Sequence, residues 1–558
     1  MARRTLGRAA LMAAMAAGLG PGGLLAQRPA RATLGAVERL FDSVRYLGDQ
    51  LDVTRTRGAD RTIHGVSVDS LVAAYGRVQP VLVRALPAVD TAALGADDRA
   101  ALARMKVVTR QSLGADQGVP TVATVGHAAP DCRSDPAGSG RGRAALDSLT
   151  ARVFACYGAA AGRIVVDGDT LDRLSILGLL GATDDPGRRE RLFRALAPVW
   201  RSVNGGDGPD SPYRRMVALR RQSWAGRPTP MARRAAVFGI DSPTSEAWLV
   251  EALEAWRAVL PDALIEPWNY YYLTGAASRR LSPRIPRDSL LALNRRFYRS
   301  LGADPDSIGI QYDIEPRPGK YPVAYTTFGA RSVERDGRWV RAEPWVFTSY
   351  RLGGFDNLLE LLHESGHGIH VAAIRTRPAY DDWPDSATFT EGIADVAALE
   401  AYEPAWQEAY LGDSVPLIES LRGKYGAVML DLAWSLFEIR VHRPGAASPN
   451  QVWTEITRDY LDIRPHPELS WWAMRGQLVD SPGYMLNYAL GAFLVADLRR
   501  EIERRWGDFA RGDRAWYGRV SDALYRFGHA RPAARVTRDF LGRATTPDAL
   551  LADLRRIR

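Results

Sequence analysis

A mainly α-helical body is predicted by two observations: apolar residues recur at helical spacing along most of the chain, and strand signals are confined to one short region. The first is seen at Leu40, Phe41, Val44 and Leu47, at Leu192, Phe193, Leu196 and Trp200, and at Leu249, Leu253, Trp256 and Leu260. Steps of three and four residues stack these side chains on one helix face. The second is the pair of aromatic and β-branched runs Tyr321 to Phe328 and Trp345 to Tyr350, with the turn dipeptide Asp336-Gly337 between them. A small antiparallel sheet within a helical body follows. Stretches rich in Gly, Pro, Asp and Ser at about 114–143 and at 204–209 read as surface loops.

The chain has 558 residues, 46% hydrophobic and 25% charged, which suits a folded globular protein with a substantial core. Its formal charge is +9, yet only three of its 73 basic residues are lysines (Lys106, Lys320, Lys424) and the arginines are spread along the whole chain. A nucleic-acid surface needs a compact basic block interleaved with aromatics, so nucleic acid is not an expected partner.

Met1-Ala2-Arg3-Arg4 and Arg8 precede an Ala/Leu/Met/Gly stretch to about Ala26, followed by Gln27-Arg28-Pro29. A basic start, a short apolar run and a small-residue exit make a secretory signal peptide over residues 1–26. The expected product is exported, periplasmic or extracellular, with no membrane span after cleavage. In such a compartment Cys132 and Cys156, the two cysteines of the chain, are disulfide candidates.

The chemistry concentrates in Asn357-Leu-Leu-Glu-Leu-Leu-His363-Glu364-Ser365-Gly366-His367. His363 and His367, four apart, leave one helical face and can share a metal ion, and Glu364 sets a carboxylate beside the water that the ion would activate. The apolar residues before them predict burial, and buried histidines need partners. A catalytic zinc takes three protein ligands. Glu391, in the apolar helical run Phe389-Thr-Glu-Gly-Ile-Ala-Asp395, is the candidate third ligand, and Asp395, one turn on, can accept the distal N–H of a ligand histidine. In these roles Glu364 is the general base.

An oxyanion donor is expected in Asp480 to Gly491, where Ser481 can cap and Pro482 can open a helix that puts Tyr484 and Tyr488 on one face. Lys320, after Pro318-Gly319 and before a strand, is a substrate-binding candidate, and His370 reads as a surface residue.

These motifs resemble the angiotensin-converting-enzyme-like peptidases, within the gluzincin group of helical zinc peptidases that also holds thimet-type oligopeptidases and thermostable carboxypeptidases. The family's HEMGH is HESGH at 363–367, and its Phe-His-Glu-Ala-Ile-Gly-Asp is Phe389 to Asp395, at the same separation. The resemblance spans about residues 90–500 and is strong at 340–400. It implies a helical ellipsoid with a deep substrate channel, one zinc ion at its floor, and 27–558 as a single catalytic unit: about 37–240 an N-terminal helical half or lid, about 241–558 the zinc-bearing half. It also implies a monomer acting on short peptides and releasing C-terminal dipeptides.

By the same resemblance Ala342, Glu343 and Pro344 stand where the family's substrate-binding strand lies. Arg475 and Gln477 occupy the places of a Lys and a His that serve the substrate carboxylate and the transition state. Arginine can still pair a carboxylate and glutamine can still donate a hydrogen bond. The family's chloride-binding arginine is not evident beside Tyr488. Alternatives are an oligoendopeptidase or carboxypeptidase of the same fold, a catalytically silent zinc-containing binding protein, and a hydrolase of a non-peptide amide.

Overall fold

The structure, a computed structural model, describes residues 32–58, 64–116, 142–261, 263–317, 320 and 324–557. Residues 1–26, read as a signal peptide, Cys132 and most of the loop expected at 114–143 lie outside these. Cys156 lies on the buried face of the helix Gly142–Gly162. Among the described residues no helix is long and apolar enough to cross a membrane.

The chain is mainly helical, and its helices enclose two large apolar cores. One gathers Phe193, Trp200, Tyr213 and Trp256 with Trp434, Phe437, Trp453 and Trp472. The other gathers Phe297, Tyr298, Leu358, Leu361 and Leu362 with Ile393, Leu494 and Trp516. Five helices matter for the site: α1 (Leu34–Arg57), α2 (Phe355–Ala373), α3 (Ala387–Ala398), α4 (Leu417–Val441) and α5 (Met485–Trp506). Beside α2 lies a sheet of β1 (Gln311–Asp313), β2 (Tyr325–Ala330) and β3 (Glu343–Phe347).

The sheet is mixed rather than purely antiparallel. β3 is central, paired antiparallel with β2 and parallel with β1. β1 is a three-residue strand too short to carry a readable alternation, which is why sequence pattern missed the parallel pair. Asp336 and Gly337 take positive φ values of 50° and 70° and join the short hairpin Val333–Arg335/Arg338–Val340 through a two-residue turn.

α2 begins where Gly354, at φ 106°, turns the chain, and where the Ser282 hydroxyl accepts a hydrogen bond from the Phe355 N–H at 3.1 Å. The helix is buried on nearly every side from Leu361 onward, being roofed by the sheet and crossed by α3. That crossing is close because residue 366 is glycine. A Cβ there would run into the Ala394 carbonyl, so any larger residue would push α3, and Glu391 with it, away from the histidines.

α5 starts at Met485 and not at Pro482 as the proline suggests. Gly483 has φ 82°, a conformation outside the right-handed helix, so the chain makes a turn there before the helix can begin. α1 braces the sheet from outside: the Gln50 amide donates to the Gly329 carbonyl at 2.6 Å, and Asp49 pairs with Arg331 at 2.9 Å.

Candidate metal centre and active-site cleft

α2 carries His363, Glu364 and His367, and α3 delivers Glu391 opposite them. The Glu391 Oε2 lies 3.6 Å from His363 Nε2 and 3.8 Å from His367 Nε2, and one donor atom from each residue falls within 4.8 Å of the others. Zinc–ligand bonds of about 2.0–2.2 Å at tetrahedral angles set donors roughly 3.4 Å apart, so a His2Glu set at these separations fits zinc. Among the described residues it is the one such cluster.

Two of the three donors are held from behind. The His363 Nδ1 lies 2.7 Å from the Asp395 Oδ1, a contact that places the proton on Nδ1 and leaves Nε2 as the lone-pair donor. The Tyr484 hydroxyl donates to the Glu391 Oε1 at 3.0 Å, leaving Oε2 for the metal. Burial would raise the Glu391 carboxyl, but the facing imidazoles of His363 and His367 more than reverse this and hold it well below the ordinary carboxylate range. It stays an anion.

Glu364 has a partner that sequence reasoning missed. The Thr326 hydroxyl, on β2, lies 2.7 Å from the Glu364 Oε2 and 2.8 Å from the Glu364 carbonyl oxygen, tying the sheet to the carboxylate. The signal lay in a β2 threonine within a strand predicted to flank the motif.

The cleft in front has a volume of about 610 Å³, ample for several residues of a peptide. Ala324, Tyr325 and Thr326 form one wall, His363, Glu364, His367 and Glu360 the floor, and Glu391, Tyr484 and Tyr488 the opposite wall. Trp383 and Pro384 close one end. Tyr484 and Tyr488 stand side by side, ring centres 5.5 Å apart. Burial, and then the Glu391 charge, pushes both phenols well above their ordinary range, so they remain neutral hydrogen-bond donors.

Other candidates are placed elsewhere. Ala342, Glu343 and Pro344 belong to the central part of the sheet. Ala342 is buried, Pro344 is paired opposite Phe328, and Glu343 meets His64 and the Trp345 indole N–H. The strand bordering the cleft is β2, an edge of the sheet. Lys320 does not reach the cleft: its ammonium donates to the Asp313 carboxylate and carbonyl, each at 2.8 Å, and to the Glu315 carbonyl, with its side chain 2% exposed. It closes a turn.

Arg475 is paired with Asp431 on α4 and lies over the Trp434 ring, while the Gln477 amide meets the Tyr488 hydroxyl. His370, read as a surface residue, is fully buried among Trp383, Phe389 and Tyr525. Burial, then neighbouring His367, lowers its pKa to about 3, so it is a neutral core side chain.

This architecture already exists among solved structures. A structure named CHT superposes with a TM-score of 0.52 at 14% identity, covering 94% of this chain and 99% of that one. An oligoendopeptidase F gives 0.54 at 15%, covering 95% and 97%. PZ peptidase A with an inhibitor gives 0.53 at 12%, covering 93% and 85%. At such identities what is shared is the fold. No family model and no curated protein matches the chain.

Proposed function

We propose that this chain is a zinc-dependent oligopeptidase that hydrolyses short peptides, acting outside the cytoplasm after removal of its leader. The observation that carries the reading is the meeting of three donors, His363, His367 and Glu391, at zinc-compatible separations, with the Glu364 carboxylate on the same helix turn. The shared fold with an oligoendopeptidase F and with PZ peptidase A supports it. Export is proposed from the basic start and apolar run of residues 1–26.

Zinc bound by these residues supplies a Lewis acid that acidifies water and polarises the scissile carbonyl. Glu364, held by Thr326, accepts the proton of the attacking water and passes it to the leaving amine. Tyr488, next to Tyr484 and kept neutral, donates to the oxyanion of the tetrahedral intermediate. Tyr484 orients Glu391. The peptide backbone adds to the free edge of β2, so an extended substrate lies along Ala324 to Thr326.

Cleavage within the peptide is favoured over release of C-terminal dipeptides. Anchoring a free C-terminal carboxylate needs a cation in the cleft, and among the described residues none lining the cleft is Arg or Lys, while Arg475 is neutralised by Asp431. The test is to incubate zinc-loaded protein with unstructured peptides blocked at either end and to read products by mass spectrometry. Internal cuts that tolerate a blocked C-terminus support the oligopeptidase reading. Cutting abolished by C-terminal amidation, with dipeptides released otherwise, returns the protein to the peptidyl-dipeptidase reading.

A further inference from the structure

The cleft contains one more carboxylate than hydrolysis requires. Glu360 lies on α2 one turn before Glu364, lines the cleft floor and faces the same way. It is neither a donor to the metal cluster nor, among the described residues, within ion-pair distance of any arginine or lysine. Its polar neighbour is Tyr350, and the charges nearest it are those of Glu364, which repels it, and His363, whose imidazole faces the metal cluster.

Charge balance shows what this costs. A divalent ion is matched by Glu391 and Glu364, and every other lining residue is neutral or a metal-binding histidine. Among the described residues Glu360 is left as an anion with no lining cation to match it. Burial, then the proximity of Glu364, raises its carboxyl above the ordinary range; an incoming cation would restore the charged form. A half-buried acid with no cation of the chain paired to it is costly to keep charged, and a cationic ligand removes that cost.

Granted the peptidase reading above, we propose that Glu360 is a specificity determinant that recognises an arginine or lysine side chain of the peptide close to the scissile bond. Four residues of helix separate it from Glu364, a rise of about 6 Å. An extended peptide advances roughly 3.3 Å per residue, so the basic residue lies within about two positions of the cut. The opposite end of the cleft, where Trp383 stacks edge-on to His367 at 5.6 Å, is apolar and suits an aromatic or aliphatic side chain. The cleft therefore reads polarity along its length: a cation at the start of α2, an apolar group towards its end.

Paired peptides test this, one carrying arginine and the other citrulline, its uncharged isostere, at each position around the cleavage site in turn. The zinc-loaded enzyme is expected to show a kcat/KM at least about tenfold higher for arginine at one position. Glu360→Gln should bring the pair within about twofold, and Glu360→Lys should favour glutamate over arginine there. Equal cleavage of arginine and citrulline peptides at every position by the wild-type enzyme overturns the role of Glu360 and leaves the peptidase reading standing. A preference for arginine that survives in Glu360→Gln also overturns it. Cleavage of no peptide at all overturns both.

Discussion

The carboxylate of Glu438, in the last turn of α4, accepts a hydrogen bond from the backbone N–H of Gly483 at 2.6 Å. Gly483 is the left-handed turn residue immediately before Tyr484, and its neighbours leave no room for a side chain, since a Cβ there would lie 3.0 Å from the Met231 nitrogen. One buried acid thus fixes the point from which α5 launches both cleft tyrosines.

Replacing Glu438 by leucine removes the acceptor and leaves a buried N–H without a partner, which costs about 1–3 kcal/mol of stability. The turn should loosen, and kcat should fall at least about tenfold with zinc content unchanged. Glu438→Gln keeps a carbonyl acceptor and should retain most activity. Denaturant unfolding together with steady-state kinetics on both variants checks this, and equal losses in the two would show that the hydrogen bond is not what matters.

The same residue gives a pH dependence. Burial, opposed by the Gly483 N–H and by Arg220 and Arg234, raises the Glu438 carboxyl to about 7. A carboxyl raised in the folded state binds its proton more tightly folded than unfolded, so its contribution to stability is fully present below its unfolded value, near 4.3, and falls as pH climbs to about 7. Wild-type protein should therefore lose more unfolding free energy between pH 5 and 7 than Glu438→Gln does, by about 1 kcal/mol or more. Unfolding midpoints at matched pH for the two proteins measure the difference.

Asp395 holds His363 through its Nδ1. Asp395→Ala should weaken zinc binding about 10–100-fold, read by competition with a chromogenic chelator, and leave the helical far-ultraviolet signal intact. Unchanged zinc affinity would mean that the ring is fixed by packing alone.

Thr326→Val preserves the shape and β-branching of the side chain and removes the hydroxyl that meets Glu364. Zinc content should not change, whereas kcat should drop about tenfold as the base loses its alignment. A variant with wild-type kcat would assign Thr326 to strand packing only.

What could be read in the sequence depended on the range of the interactions involved. His363, Glu364 and His367 lie within one helical turn and a half, so spacing alone sets their common face, and Glu391 and Asp395 share a face of their own on α3. That Gly366 permits α3 to approach is a tertiary fact, visible only when both helices are placed. Strand roles were harder. Ala342, Glu343 and Pro344 were expected to meet substrate, yet the nearly unbroken apolar run from Pro344 to Phe347 is the signature of a central strand, and the half-exposed start of β2 marks the edge. Lys320 was assigned to substrate from its place after Pro318-Gly319, and Arg475 and Gln477 by resemblance; their long polar side chains instead found partners within the chain, at Asp313, Asp431 and Tyr488. His370 carries no local sign of burial, because the rings that cover it arrive from beyond its own helix, Trp383 from the loop that follows and Tyr525 from far along the chain.

The most direct measurement follows hydrolysis of an internally quenched peptide as zinc is stripped from the purified protein with a chelator and then returned. Activity should disappear with the metal and recover in full at about one zinc per chain, the stoichiometry of a single His2Glu site. Undiminished hydrolysis by fully zinc-free protein would contradict the assignment of His363, His367 and Glu391 to a catalytic metal.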